Sequence, residues 1–260
     1  MGVMYIRDEN GKPIPIPGGS GGGGKYPDWS RFTWYVVGDS LTERTYAHTA
    51  KYYYEFIQEK TGIKIIVDGA GGTGYKAGVN TDGGITFLDR MKKNLKEEDE
   101  AGALNVDIVT IFGSGNDIEH TENLAYDEKF TTLSWLANHR PGLRVIVAPP
   151  VTWMGYDKRK SANWLSYCNR LKECALACDF RYLSDLYDCP PFNPNFAGHL
   201  KKFFGNRPDG KEADGIHPST NGHKALAQYF YNALLQELAP KSAGGDVGTG
   251  TGGGATGPKT

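Results

Sequence analysis

From Phe32 onward, short apolar runs alternate with longer stretches of helical periodicity. Thr33–Val37, Ile63–Val67, Val106–Phe112, Leu143–Ala148 and Phe180–Leu183 are rich in β-branched and aromatic residues and too brief for helices, so they predict strands. Tyr46–Lys60, Thr86–Asn94, Thr131–Ala137 and Ala162–Ala177 lie between them and predict helices. A last helix, about Asn221 to Leu238, has the clearest stripe, with Leu226, Tyr229, Phe230, Ala233, Leu234 and Leu238 at three- and four-residue spacing. Ser219 or Thr220 offers its N-cap oxygen after Pro218. Strands that alternate with helices in this way predict an α/β domain built on a parallel sheet with crossover helices.

The two ends follow another rule. YIRDENGKPIPIP alternates apolar and polar residues, but its three prolines restrict it to an extended arm or edge hairpin. Of the chain's 35 glycines, six lie between Gly18 and Gly24 and eight between Gly244 and Gly257. Neither tract can bury enough apolar surface to offset its ordering entropy. The expected organisation is an arm and linker over residues 1–24, one globular domain over 25–240 and a flexible tail over 241–260.

Charge and hydropathy narrow the function. Lys plus Arg number 29 against 30 Asp plus Glu, without a basic stripe, so no nucleic-acid or anionic-membrane partner is expected. No apolar run approaches the ~18 residues of a membrane span, and the N-terminus lacks the apolar stretch of a signal peptide. The expected location is therefore cytoplasmic or phage- and virion-associated. Cys168, Cys174, Cys178 and Cys189 include no C-x-x-C pair; buried free thiols are expected, with a zinc site that adds His199 as the alternative.

Several motifs suggest chemistry, and context separates them. Gly18–Gly22 spells G-x-S-x-G around Ser20, but no strand precedes it and no helix follows, as a nucleophile elbow requires. The same tract nearly spells a P-loop from Gly19 to Lys25, with Tyr26 where a magnesium-binding Ser or Thr belongs. Gly69–Gly74 spells G-x-G-x-x-G after a strand, yet the following YKAGVNTDGG does not read as the helix that must face a pyrophosphate.

Four segments sit at strand ends or before the last helix: Gly38-Asp39-Ser40-Leu41-Thr42, Gly69–Gly74, Gly113-Ser114-Gly115-Asn116-Asp117 and Asp214-Gly215-Ile216-His217-Pro218. In these blocks, and in their order, the chain resembles the SGNH, or GDSL-type, hydrolase family over Trp34 to about Leu238. The resemblance implies a three-layer α/β/α, flavodoxin-like fold with a mostly parallel sheet of about five strands, and ester hydrolysis. It also implies Ser40 as nucleophile, Asp214 and His217 as its partners, and an oxyanion hole from the backbone N–H groups of Ser40 and Gly72 with the Asn116 amide. The register allows Gly71 in place of Gly72. Val67 and Asp68 stand near a position where many family members carry Asn, so the loop's anchoring is expected to differ.

These residue types suit those roles. A serine hydroxyl needs a base to take its proton during attack, and His is the side chain whose ordinary pKa suits that near neutrality. A carboxylate beside the other ring nitrogen fixes the tautomer, and Pro218 keeps His217 out of helical conformation. Asp39 is expected to be a structural hydrogen-bonder, Asp117 a loop or helix-cap residue, and His223 to lie at the surface or the helix cap. No metal or other cofactor is required by this chemistry.

The expected substrate is a small-molecule or glycan ester, with a short acyl group such as acetate on a sugar. Trp153, Tyr156 and Trp164 offer aromatic faces to such a ring, and His120 is placed to line the cleft. The opening arm and glycine run resemble the start of some phage or bacterial surface structural proteins, which implies tethering to a larger phage-tail or surface assembly. Two other readings stay open: a catalytically silent carbohydrate-binding or structural module on the same fold, and a nucleotide-binding oxidoreductase that uses Gly69–Gly74.

Overall fold

The computed structural model describes residues 5–7, 13–15, 27–44, 49–76, 85–96, 104–118, 126–151, 158–184, 202–204 and 214–238. Strands β1 (Tyr5–Arg7) and β2 (Pro13–Pro15) pair antiparallel as a separate hairpin. The main sheet has five parallel strands, β3 (Thr33–Gly38), β4 (Lys64–Gly69), β5 (Ile108–Phe112), β6 (Arg144–Ala148) and β7 (Arg181–Tyr182), in the order β4-β3-β5-β6-β7.

Period-two alternation sorts the strand residues onto two faces. Trp34, Val36, Ile108, Phe112 and Ile146 point to one side, where they meet helix α1 (Tyr53–Thr61) and the C-terminal helix α6 (Thr220–Leu238). Tyr35, Val37, Val109, Ile111 and Val147 point to the other, against α2 (Phe87–Asn94), α4 (Tyr126–His139) and α5 (Lys158–Ala177). The result is a three-layer α/β/α fold. The predicted stripe of α6 is its buried face: Leu226, Phe230, Leu234 and Leu238 are all buried, each worth about 1.5–3 kcal/mol relative to exposure.

Helix α1 begins later than the periodicity predicts. Within the described residues its first turn starts at Tyr53, because Glu55 reaches back to the Tyr52 N–H at 2.8 Å and Thr220 Oγ1 holds the Ala50 N–H at 2.9 Å in a non-helical segment. Ser219, rather than Thr220, stands at the α6 cap, with its hydroxyl toward the Gly222 N–H at 3.5 Å. Cys168 and Cys174 on α5 and Cys178 just past its end are thiols outside any disulfide, and burial pushes the Cys174 thiol up to about 11. Cys189 and His199 lie outside the described residues, as do the glycine tracts.

A flavodoxin-like order reverses direction where the chain leaves β3 for β4 on one side and later returns to β5 on the other. Ligands in open α/β sheets bind at the carboxyl ends of the strands beside this point. The loops after β3 and β5 are those that carry Ser40 and Asn116.

Candidate active site

Three loops at the carboxyl ends of β3, β4 and β5 converge, and α6 brings a fourth segment to them. After β3, the N–H groups of Thr42 and Glu43 donate to the Asp39 carbonyl at 3.0 and 3.1 Å, so the chain turns helically just past Ser40. The Ser40 hydroxyl lies 2.8 Å from His217 Nε2, and His217 Nδ1 lies 2.6 Å from Asp214 Oδ2. The other Asp214 oxygen accepts the backbone N–H groups of Ile216 and His217, both at 2.9 Å. Burial alone would raise the Asp214 carboxyl; the bonds from the His217 backbone and ring and from Ile216 outweigh it and hold the group below the usual carboxylate range.

The second loop approaches from β4. Its Gly71 N–H donates to Glu43 Oε2 at 2.6 Å, while Gly72 is exposed with φ of +72°. Among the described residues no acceptor holds the Gly72 N–H, so of the two register choices Gly72 is the one left with a donor to offer. The Asn116 amide, on the short helix α3 (Gly115–Ile118), gives one hydrogen to the Thr73 carbonyl at 2.9 Å. A side-chain amide has two hydrogens, and among the described residues no bond to the second is seen.

Carboxylates lace the three loops together. Asp39, in the first loop, accepts the Ser114 N–H of the third at 2.8 Å and its own Leu41 N–H at 2.9 Å. Glu43 ties the first loop to the second through Gly71. Asp117, in the third, accepts the Tyr75 and Lys76 N–H groups of the second at 2.9 and 3.2 Å. Burial pushes the Asp39 carboxyl up to about 6, against the two backbone bonds that pull it down. Asp39 is thus the structural hydrogen-bonder its position predicts, while Asp117, expected as a loop or helix-cap residue, bonds across to the second loop from within a short helix.

Arg90 is a second fastener, and its part is absent from the sequence reading. From α2 its guanidinium donates to the Gly38 carbonyl at 2.8 Å, to Thr73 Oγ1 at 3.1 Å and to Asp68 Oδ1 at 2.7 Å. Asp68 also accepts from Asn94 at 2.9 Å and from the Tyr35 hydroxyl. This is how the loop is anchored with Asp68 in its approach. A signal existed: Arg90 sits with Phe87 and Met91 on the apolar stripe of α2, where an arginine is out of place unless it is paired.

Other expected residues are placed differently. Trp164 is fully buried among Tyr167, Leu171 and the β-strand side chains, so its ring is core and presents no face to a sugar. His223 is buried rather than at the surface, packed 4.9 Å from the Tyr52 ring and stacked on Tyr53 at 6.0 Å. Trp153, Tyr156 and His120 lie outside the described residues. Directly after the G-x-G-x-x-G loop, Tyr75 and Lys76 form a bend and not a helical turn, and among the described residues the next helix is α2 at Phe87. Its outer glycines instead let Gly69 pack on the Thr42–Glu43 backbone and Gly74 on the Asp117 carboxylate. Among the described residues, no group of three His, Cys, Asp or Glu side chains is arranged to hold a metal ion, and no helix is long and apolar enough to cross a membrane.

Comparison with known proteins agrees with this arrangement of loops. The profile of the GDSL-like lipase/acylhydrolase family matches residues 36–225, a span that takes in all four segments and nothing of residues 1–24 or 241–260. Among solved structures, the chain is similar to the lipase/acylhydrolase from Enterococcus faecalis, at 18% identity over 82% of this chain and 100% of that one, with a TM-score of 0.58. It is also similar to an acetylxylan esterase from Geobacillus stearothermophilus, at 20% identity over 81% and 95% of the two chains, with a TM-score of 0.52. A search of curated protein sequences finds no match. The profile match and the shared fold together mean that the chain belongs to the GDSL-like lipase/acylhydrolase family and is a hydrolase of carboxylic esters.

Proposed function

We propose that the chain is a serine esterase that removes short acyl groups, acetate foremost, from a carbohydrate. The observation that carries this reading is the continuous hydrogen-bond chain from the Ser40 hydroxyl through His217 to Asp214, at 2.8 and 2.6 Å. Ser40 Oγ attacks the acyl carbon while His217 Nε2 takes its proton. Asp214, already bonded to Nδ1, holds the ring in the required tautomer and stabilises the imidazolium that forms.

Negative charge then develops on the acyl oxygen. The Ser40 and Gly72 backbone N–H groups and the second Asn116 amide hydrogen are the donors that meet it; one such donor is worth roughly 100- to 1000-fold in turnover. Collapse of the intermediate expels the sugar hydroxyl, which takes its proton from His217. A water molecule, deprotonated by the same histidine, releases the acid from Ser40.

The acyl and alcohol preferences rest on two supports. The second-loop and third-loop groups nearest Asn116 are polar or glycine, which favours a small acyl group over a long chain. A similar structure is an acetylxylan esterase, and that enzyme has been solved as a serine-to-alanine catalytic mutant. The test is an aryl acetate assay of wild type and Ser40→Ala, followed by acetate release from a panel of acetylated glycans. Turnover lost in the variant and acetate released from a glycan support the reading; equal rates for both proteins exclude the serine mechanism.

A further inference from the structure

We propose that Glu43 is the positioning residue of the oxyanion hole, fixing which glycine N–H of the second loop faces the acyl oxygen. This rests on the esterase reading above. The loop Gly69-Ala70-Gly71-Gly72-Thr73-Gly74 has little conformational preference of its own, since glycine takes positive and negative φ almost equally. One bond is internal, from the Thr73 hydroxyl to the Ala70 carbonyl at 2.6 Å, and the rest of its fold is set by bonds from outside. The Ala70 N–H donates to the Gly38 carbonyl at 3.1 Å on one side, and Arg90 and Asn116 hold Thr73 on the other. Between these anchors lie two consecutive glycines, and the bond holding them is Gly71 N–H to Glu43 Oε2 at 2.6 Å.

The consequence is a choice between two N–H groups. With its N–H given to Glu43, Gly71 cannot also serve the acyl oxygen, and the next N–H, at Gly72, is the one presented. Without that acceptor, the peptide between Gly71 and Gly72 is free to flip, because neither residue has a Cβ to oppose it. A flip turns a carbonyl oxygen toward the developing negative charge in place of an N–H.

Glu43 is well placed for this role. It is three residues past Ser40, and its own N–H closes the turn onto the Asp39 carbonyl at 3.1 Å, so the acceptor is rigidly related to the nucleophile. It also borders a groove of about 470 Å³ between α1 and β4, whose floor includes Ile65 and Val67. Truncation at the edge of this groove admits water and leaves no sealed cavity, so the fold should survive it. The role needs an acceptor oxygen and not a charge; glutamine keeps the first without the second.

The experiment compares Glu43→Ala and Glu43→Gln with wild type in steady-state aryl acetate hydrolysis, in binding of a short alkyl boronic acid, in backbone amide exchange by NMR and in thermal unfolding. The boronic acid is used because its serine adduct carries a tetrahedral, negatively charged centre like the intermediate. For Glu43→Ala, kcat falls about 10- to 100-fold with KM within about twofold, the boronic acid binds correspondingly more weakly, and the Gly71 amide exchanges faster at an unchanged unfolding temperature. Glu43→Gln stays within about threefold of wild type in the same measurements. Unchanged kcat or unchanged Gly71 exchange in the alanine variant overturns the proposal, as does a glutamine variant that fails like alanine. Gly71 exchange needs no turnover, so a wild type without esterase activity would refute the esterase reading while the Glu43 bond is still decided by NMR.

Discussion

The Asp39 carboxylate accepts the backbone N–H of Ser114 at 2.8 Å, so the residue beside Ser40 also holds the loop that carries Asn116. Its two oxygens serve two N–H groups, those of Ser114 and Leu41. An asparagine there must turn its NH₂ toward one of them, donor against donor. Asp39→Asn is therefore expected to lower kcat by about 10- to 100-fold through displaced donors, since a displacement near 1 Å can cost that much. Steady-state kinetics on an aryl acetate check it; a variant within twofold of wild type contradicts the linkage.

The same carboxyl makes stability depend on pH. Burial raises it to about 6 in the folded protein, above its ordinary 3.8, so between those values the folded state holds more protons than the unfolded one. Stability from this group therefore falls as pH rises through that window and is flat above it. Asp214, held low, works the other way: its contribution is present above the ordinary value and is lost as pH falls through its folded value. Urea unfolding of wild type and Asp39→Asn at about pH 4.5 and 7.5 isolates the first effect, because Asp214 is common to both. Wild type should gain on the variant at the lower pH; a constant difference contradicts the assignment.

Asn116→Ala removes an amide that gives one hydrogen to Thr73 and, in the proposed mechanism, the other to the acyl oxygen. Turnover is expected to fall about 100- to 1000-fold. A variant that keeps more than about a third of wild-type kcat would remove Asn116 from the oxyanion hole.

Asp214→Asn should leave the fold in place and cost roughly 10,000-fold in kcat, because an amide opposite Nδ1 favours the wrong tautomer. Kinetics together with an unchanged circular dichroism spectrum check it. Loss of only a few-fold would mean that His217 is oriented by something other than Asp214.

Gly113→Ala tests the packing behind the site. Gly113 has φ of +112°, and an added Cβ would sit 2.4 Å from the Asp39 carboxyl carbon. The overpacking is expected to cost about 1–3 kcal/mol, which a thermal melt reads as several degrees. An unchanged melting temperature would show that Asp39 can move aside freely.

Much of this was legible in the residues. The strands were readable because buried parallel strands are short apolar runs, and α6 because one face is apolar along its whole length. The four segments could be found because each stands where a strand ends or the last helix begins. Arg90, Glu43 and Asp117 were less legible, since each acts by accepting or donating a bond across 17 or more residues of sequence, as Arg90 does to Thr73 and Glu43 to Gly71. Trp164 and His223 misled for a related reason: their types allow either surface or core, and only the opposing layer decides.

Ser40 Oγ and His217 Nε2, the two atoms proposed to exchange the proton, are 177 residues apart in the chain. During synthesis from the N-terminus, β3 through β6 can emerge and begin to pair long before the histidine exists outside the ribosome. A chain made only as far as β6 therefore carries Ser40 without His217, and the pair proposed for catalysis meets only once the segment that leads into α6 has docked against the sheet.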